Sequence, residues 1–219
     1  MKTHLLIAFS LLVFAGCANI DSIEEQNSGF LGDYSNMKVV KMKDKSKARR
    51  WINPDIKKGQ YTKVIVPQIT FFPAPRTSDQ VQLETLNKIA DYLTKQIRAE
   101  VSKNFELTDK AGPDTVQIQV AITGVATPME GLSAYEVTPM TLAFAGASAA
   151  AGARDRLAVV YVEAIATDSL TGAELAKGLR QGVGESLRDD KEQLDVSKVQ
   201  AILDGWASVL GEMANETLN

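Results

Sequence analysis

Between residues 115 and 126 the apolar side chains Val116, Ile118, Val120 and Ile122 alternate with Gln117, Gln119, Ala121 and Thr123, a period of two that fits an extended strand with one buried face. Residues 157–167 and 174–186 are further β-rich runs. Between them Asp168-Ser169-Leu170-Thr171-Gly172 supplies turn chemistry, so the two runs read as an antiparallel hairpin. Strands of this kind must cover their apolar face. Two helical patterns meet that need. Val81, Leu86, Ile89, Ala90, Leu93, Ile97 and Val101 recur at steps of three and four after a cap at Thr77 or Ser78. Val199, Ile202, Leu203, Trp206, Val209, Leu210 and Met213 form a second stripe after a cap at Asp195 or Ser197. Residues 61–72, YTKVIVPQITFF, read as one more strand, with Pro67 placing it at an edge or a bulge, and residues 105–107 as a short one. The expected fold class is α+β: a two-layer sandwich with a mostly antiparallel sheet of four to five strands and two amphipathic helices packed on one face. The globular domain is expected over residues 61–219.

The first residues give an address. Lys2 precedes an apolar run from Leu5 to Phe14, followed by the small residues Ala15 and Gly16, which is the pattern of a signal peptide over residues 1–16. The run is about half the length a spanning helix needs. Phe14-Ala15-Gly16-Cys17 resembles the lipobox of bacterial lipoproteins, although members usually carry Leu at the position of Phe14. That resemblance implies a diacylglyceryl thioether on Cys17, cleavage before it and acylation of the new amine. Two or more acyl chains hold a protein on a bilayer stably. Ala18, where Asp would retain a lipoprotein in the inner membrane, implies the periplasmic face of the outer membrane in a Gram-negative envelope.

Residues 17–60 read as a lipidated tether and basic segment that becomes ordered near Phe30, Leu31 and Tyr34. From Met37 to Lys58 nine basic residues face two acidic ones, a net +7, while the rest of the chain beyond the signal peptide carries −11. Lys41, Lys43, Lys45, Lys47 and Arg49 are spaced by two, so an extended chain projects all five from one face, and Trp51 extends the row as a surface anchor. They are the candidate contact surface for an anionic envelope component. Nucleic acid is excluded as a partner for an exported chain of net −4. Residues 139–153, almost wholly small or apolar, read as a packed connector or a close-approach surface.

Three segments carry a family resemblance. SGFLGDYSNMK (28–38), AGPDTVQIQVAITGV (111–125) and RDRLAVVYVEAIATDSLTGAELA (154–176), in that order behind a lipobox, are similar to the bacterial lipoproteins grouped as domain of unknown function 3313. The most specific parts are Gly-Phe-Leu-x-x-Tyr and the hairpin residues Val162, Glu163, Asp168, Ser169, Thr171 and Gly172. The resemblance implies an exported lipoprotein and adds no catalytic residue.

The chemistry left to the chain is narrow. Its one histidine, His4, lies in the signal peptide and its one cysteine is Cys17, so a Ser-His-Asp triad, a Cys-His pair and histidine metal ligation are excluded from the mature chain. No cofactor, metal site or catalytic residue is expected. Ser35-Asn36-Met37-Lys38 matches S-x-x-K without the partner motifs of penicillin-recognising enzymes, and Gly182-Val183-Gly184 lacks a third glycine. Asp189-Asp190 reads as a turn. Glu163, flanked on its own face by apolar neighbours, is a carboxylate to watch, with a salt bridge to Arg154, Arg156 or Arg180 as its ordinary explanation. The expectation is a non-enzymatic envelope adaptor. The alternatives are a carboxylate-based enzyme acting on glycan or peptidoglycan, and a carrier of a small apolar ligand.

Overall fold

The computed structural model describes residues 23, 26–42, 45–127 and 156–219. The signal peptide, Cys17, Lys43 and residues 139–153 lie outside them. Eight strands and two helices follow in chain order: β1 (Lys38–Lys41), β2 (Lys47–Ile52), β3 (Lys63–Ile65), β4 (Thr70–Phe71), α1 (Leu83–Val101), β5 (Glu106–Leu107), β6 (Thr115–Ala126), β7 (Arg156–Asp168), β8 (Glu174–Leu187) and α2 (Ser197–Leu218). They build one sheet in the order β1-β2-β8-β7-β6-β3-β5, with β4 also paired to β6.

The α+β class and the two packed helices are as expected, but the sheet is larger and mixed. Four to five strands become eight, for two reasons. The basic segment folds back as the hairpin β1–β2, which pairs antiparallel with β8. The single strand expected over residues 61–72 is cut at Pro67 into β3 and β4, and both run parallel to β6. Helix α1 satisfies the backbone that this break releases. Arg98 donates from Nε and Nη2 to the Val66 carbonyl at 2.9 and 2.6 Å, and Thr94 Oγ1 accepts the Ile69 N–H at 3.1 Å.

The helix starts follow a different capping logic. Ser78 closes a separate turn by accepting the Val81 N–H, and α1 begins five residues later, with no side-chain cap at Gln82. Buried Val81 and Gln80 explain the delay, since the turn lets Val81 enter the core and Gln80 donate to the carbonyls of Asp189 and Glu192. At α2, Asp195 accepts the Ser197 N–H at 2.9 Å. The β7–β8 turn forms as read, with Asp168 Oδ1 accepting the backbone N–H groups of Leu170 and Thr171, and Oδ2 accepting the Tyr61 hydroxyl.

The sheet has two differently covered faces. Val116, Ile118, Val120 and Ile122 of β6, with Ala158, Val160 and Val162 of β7, share one core with the buried stripes of α1 and α2, Trp206 included. On the opposite face Leu179 packs under Ile23, Leu31, Tyr34 and Met37, with Phe30, Trp51 and Ile165 beside them. Residues 26–37 therefore form a strap across the sheet.

Candidate functional site

Three features of the described residues hold chemistry: a buried polar latch under the strap, the basic hairpin and an apolar groove under α2.

The latch is built from three adjacent strands. Antiparallel register puts Arg49 of β2 opposite Leu179 of β8, and Leu179 opposite Glu163 of β7, so these residues share the strap's face of the sheet. Glu163 is 1% exposed. Its Oε2 accepts the Tyr34 hydroxyl at 2.5 Å and its Oε1 the Ser28 N–H at 3.2 Å. The same Tyr34 oxygen accepts the N–H groups of Gly29 and Leu31. Arg49 donates to Asn27 Oδ1 and to the carbonyls of Gln26 and Tyr34, with its guanidinium 5.7 Å from the Tyr34 ring centroid. Lys177, two residues from Leu179 along β8 and so on the same face, pairs with Glu174 at 2.8 Å and donates to the Asp33 carbonyl. Gly29 and Gly32 make the turn possible, with φ of +94° and +67°, values at which a Cβ is disfavoured.

This geometry answers what Glu163 does. Tyr34 and the Ser28 amide satisfy it, where the sequence offered an arginine. Burial, and next to it the hydrogen bond to Glu163, push the Tyr34 hydroxyl above its ordinary pKa, so the phenol stays a neutral donor. Trp51 is half-buried against the Leu31 and Tyr34 cluster rather than standing at the surface. Sequence reasoning missed Tyr34 as the partner. The signal was present, because Gly-Phe-Leu-x-x-Tyr and Val162-Glu163 were the two most specific motifs and they are the two halves of this latch.

The five alternating cations part company. Lys41 and Lys47 are exposed and stand opposite each other in the β1–β2 register, and exposed Lys45, φ +67°, sits in the intervening turn. Arg49, 7% exposed, is drawn under the strap and belongs to the latch. Lys38 and Arg50, also opposite each other, carry positive charge on the sheet's helix side.

The third feature is a groove of about 140 Å³ between the C-terminal half of α2 and the sheet. Ala164 and Ala166 of β7 and Ala176 and Gly178 of β8 form its floor, Val209, Leu210 and Met213 its helical wall, and Arg180 and Trp206 lie at one end. Arg180 donates to Ser46 Oγ at 2.8 Å and lies 5.9 Å from the Trp206 ring centroid.

A family model described as "Protein of unknown function (DUF3313)" matches residues 26–210, which include the strap, the basic hairpin and both halves of the latch. The Escherichia coli K12 protein named "Uncharacterized lipoprotein YdcL" is 31% identical over 198 residues, 90% of this chain and 89% of that one. Among solved structures, the PelC dodecamer from Paraburkholderia phytofirmans is 12% identical with a TM-score of 0.38, covering 78% of this chain and 98% of that one. A minor lipoprotein from Acinetobacter baumannii is 10% identical with a TM-score of 0.37, covering 71% and 92%.

Proposed function

The chain belongs to the DUF3313 family, and from that premise we propose that it is an envelope lipoprotein that works by contact rather than catalysis. It is anchored by acyl chains on Cys17, with its folded part on the periplasmic face of the outer membrane. The observation that carries this reading is the exposed positive charge of the outer hairpin. Cys17 lies nine residues before Gln26, where the strap begins, a distance of at most about 30 Å for extended chain. The outer hairpin β1–β2 presents Lys41, Lys45 and Lys47 to solvent. Each basic residue near an anionic surface contributes about 1 kcal/mol and loses it as salt shortens the Debye length. The sealing of Glu163 beneath the strap favours this reading over a carboxylate enzyme, because a buried carboxylate consumed by its own fold does not meet a glycan.

Fractionation of cells expressing the Cys17→Ser variant tests the anchor: the protein is expected to leave the membrane fraction or to accumulate as precursor. Normal processing with retention on outer membranes after a salt wash would remove the reading. For the contact surface, a non-lipidated chain is expected to sediment with anionic vesicles at low salt and to detach near physiological salt. Replacing Lys41, Lys43, Lys45 and Lys47 by Gln is expected to abolish that binding, and Arg49 is left intact because it serves the fold.

A further inference from the structure

The side chains along β8 describe how the helix layer leaves the sheet. A Cβ at Gly184 would lie 2.0 Å from the Lys198 carbonyl oxygen, and one at Gly182 would lie 2.6 Å from Trp206 Cζ2. At Gly184 the strand meets the helix backbone, and at Gly182 it meets the Trp206 ring. At Gly178 a Cβ would meet nothing within 4 Å. Over four residues of one strand the layers part, and the space between them is the apolar groove. Ala164, Ala166, Gly178, Leu210 and Met213 on its walls are only half-buried, so solvent reaches an almost wholly hydrocarbon surface.

The shape of this space selects its occupant. From Ala176 to Arg180 the floor runs four strand residues, about 13 Å. The wall from Trp206 to Leu218 runs twelve helical residues, about 18 Å. The volume of about 140 Å³ is close to that of an engineered apolar cavity that accepts benzene, roughly 150 Å³, but here it is drawn out along the strands. That form suits one medium-length alkyl chain better than a compact ring or a whole lipid. Charge fixes the polarity. Register places Arg50 opposite both Gly178 and Lys38, and Arg180 opposite Val162 and Ala48, so Lys38, Arg50 and Arg180 all lie on the groove's side of the sheet. Acidic side chains are absent from the groove lining among the described residues.

We infer that this groove binds one saturated acyl chain of an anionic amphiphile, the chain lying between α2 and β8 and the head group beside Arg50 and Arg180. The site goes beyond the anchored contact role proposed above, and its ligand is separate from the acyl chains of Cys17.

Trp206 borders the groove, and the only other tryptophan, Trp51, packs on the opposite face. The Trp51→Phe chain, lacking the lipid, therefore reports the groove by fluorescence. Dodecanoate brominated at mid-chain is expected to quench Trp206 saturably. Gly178→Leu, which fills the floor, is expected to weaken this binding by roughly tenfold or more with an unchanged melting temperature. Ala176→Leu serves as a second blocking variant if the first does not fold. Arg50→Gln is expected to weaken the carboxylate but leave the matching brominated alcohol unaffected. Quenching by the fatty acid and not by brominated phosphatidylglycerol supports the site, whereas equal quenching by that whole two-chain lipid overturns the single-chain occupant. No saturable quenching overturns it, as would follow from a groove filled by another part of the chain or by a second copy. Quenching untouched by both blocking variants, or equal affinity for alcohol and carboxylate, also overturns it.

Discussion

Glu163 and Tyr34 form the most consequential pair of side chains in the described fold. A carboxylate 1% exposed is tolerated only with its lone pairs occupied, and here a phenol and a backbone amide occupy them. Tyr34→Phe removes one donor to Glu163 and the acceptor for two strap amides, so it is expected to lower stability by about 1–3 kcal/mol. Glu163→Gln keeps the shape and one of the two acceptor oxygens and is expected to cost less than Glu163→Ala, which orphans both the Tyr34 hydroxyl and the Ser28 N–H. Urea unfolding of the three variants checks the order. If Glu163 were held chiefly by an arginine, Tyr34→Phe would be nearly silent.

For single elements, the decisive contact is that between β8 and α2. Gly182→Ala and Gly184→Ala force a Cβ against Trp206 and the Lys198 backbone, and overpacking of this kind costs about 1–3 kcal/mol. At Gly184 the obstacle is backbone, which cannot turn aside, so its variant is expected to be the worse of the two. Gly178→Ala, on the same strand face but over open space, is expected to be neutral or slightly stabilising. Thermal unfolding of the three alanine variants would show whether the layers diverge where the glycines indicate. A similar loss at all three sites would mean that α2 follows β8 along its whole length.

The molecule as a whole ties its parts together through neutral tyrosines. Tyr61 and Tyr161 are pushed up to about 12 from an ordinary 10.0, both chiefly by burial, and Tyr61 further by the hydrogen bond to Asp168. Tyr34 shifts in the same direction. The folded state therefore holds protons that the unfolded state releases at lower pH. The stability these groups contribute is fully present below about pH 10 and is lost as pH rises towards 12. Tyrosinate absorbance is expected to rise with the loss of circular dichroism over that window, whereas in guanidinium the tyrosines titrate together near 10. A native chain that titrates all its tyrosines near 10 with its structure intact would contradict this.

Local pattern was enough for β6, for the hairpin β7–β8 around Asp168 and Gly172, and for the apolar stripes of α1 and α2, because each rests on a spacing or a turn residue that neighbours in sequence decide. The family was legible for the same reason, since its motifs are short and contiguous. The residues 26–52 were not legible as part of the sheet. Their lysines mark a soluble segment, and only pairing with β8, more than a hundred residues away, turns it into β1, β2 and a strap. The latch followed from that pairing, since the partner of a buried carboxylate is chosen by which face of which strand lies over it. The groove depended on tertiary structure too. A glycine in contact with a helix and a glycine over empty space are identical in sequence, and the path of α2 across the sheet decides which is which.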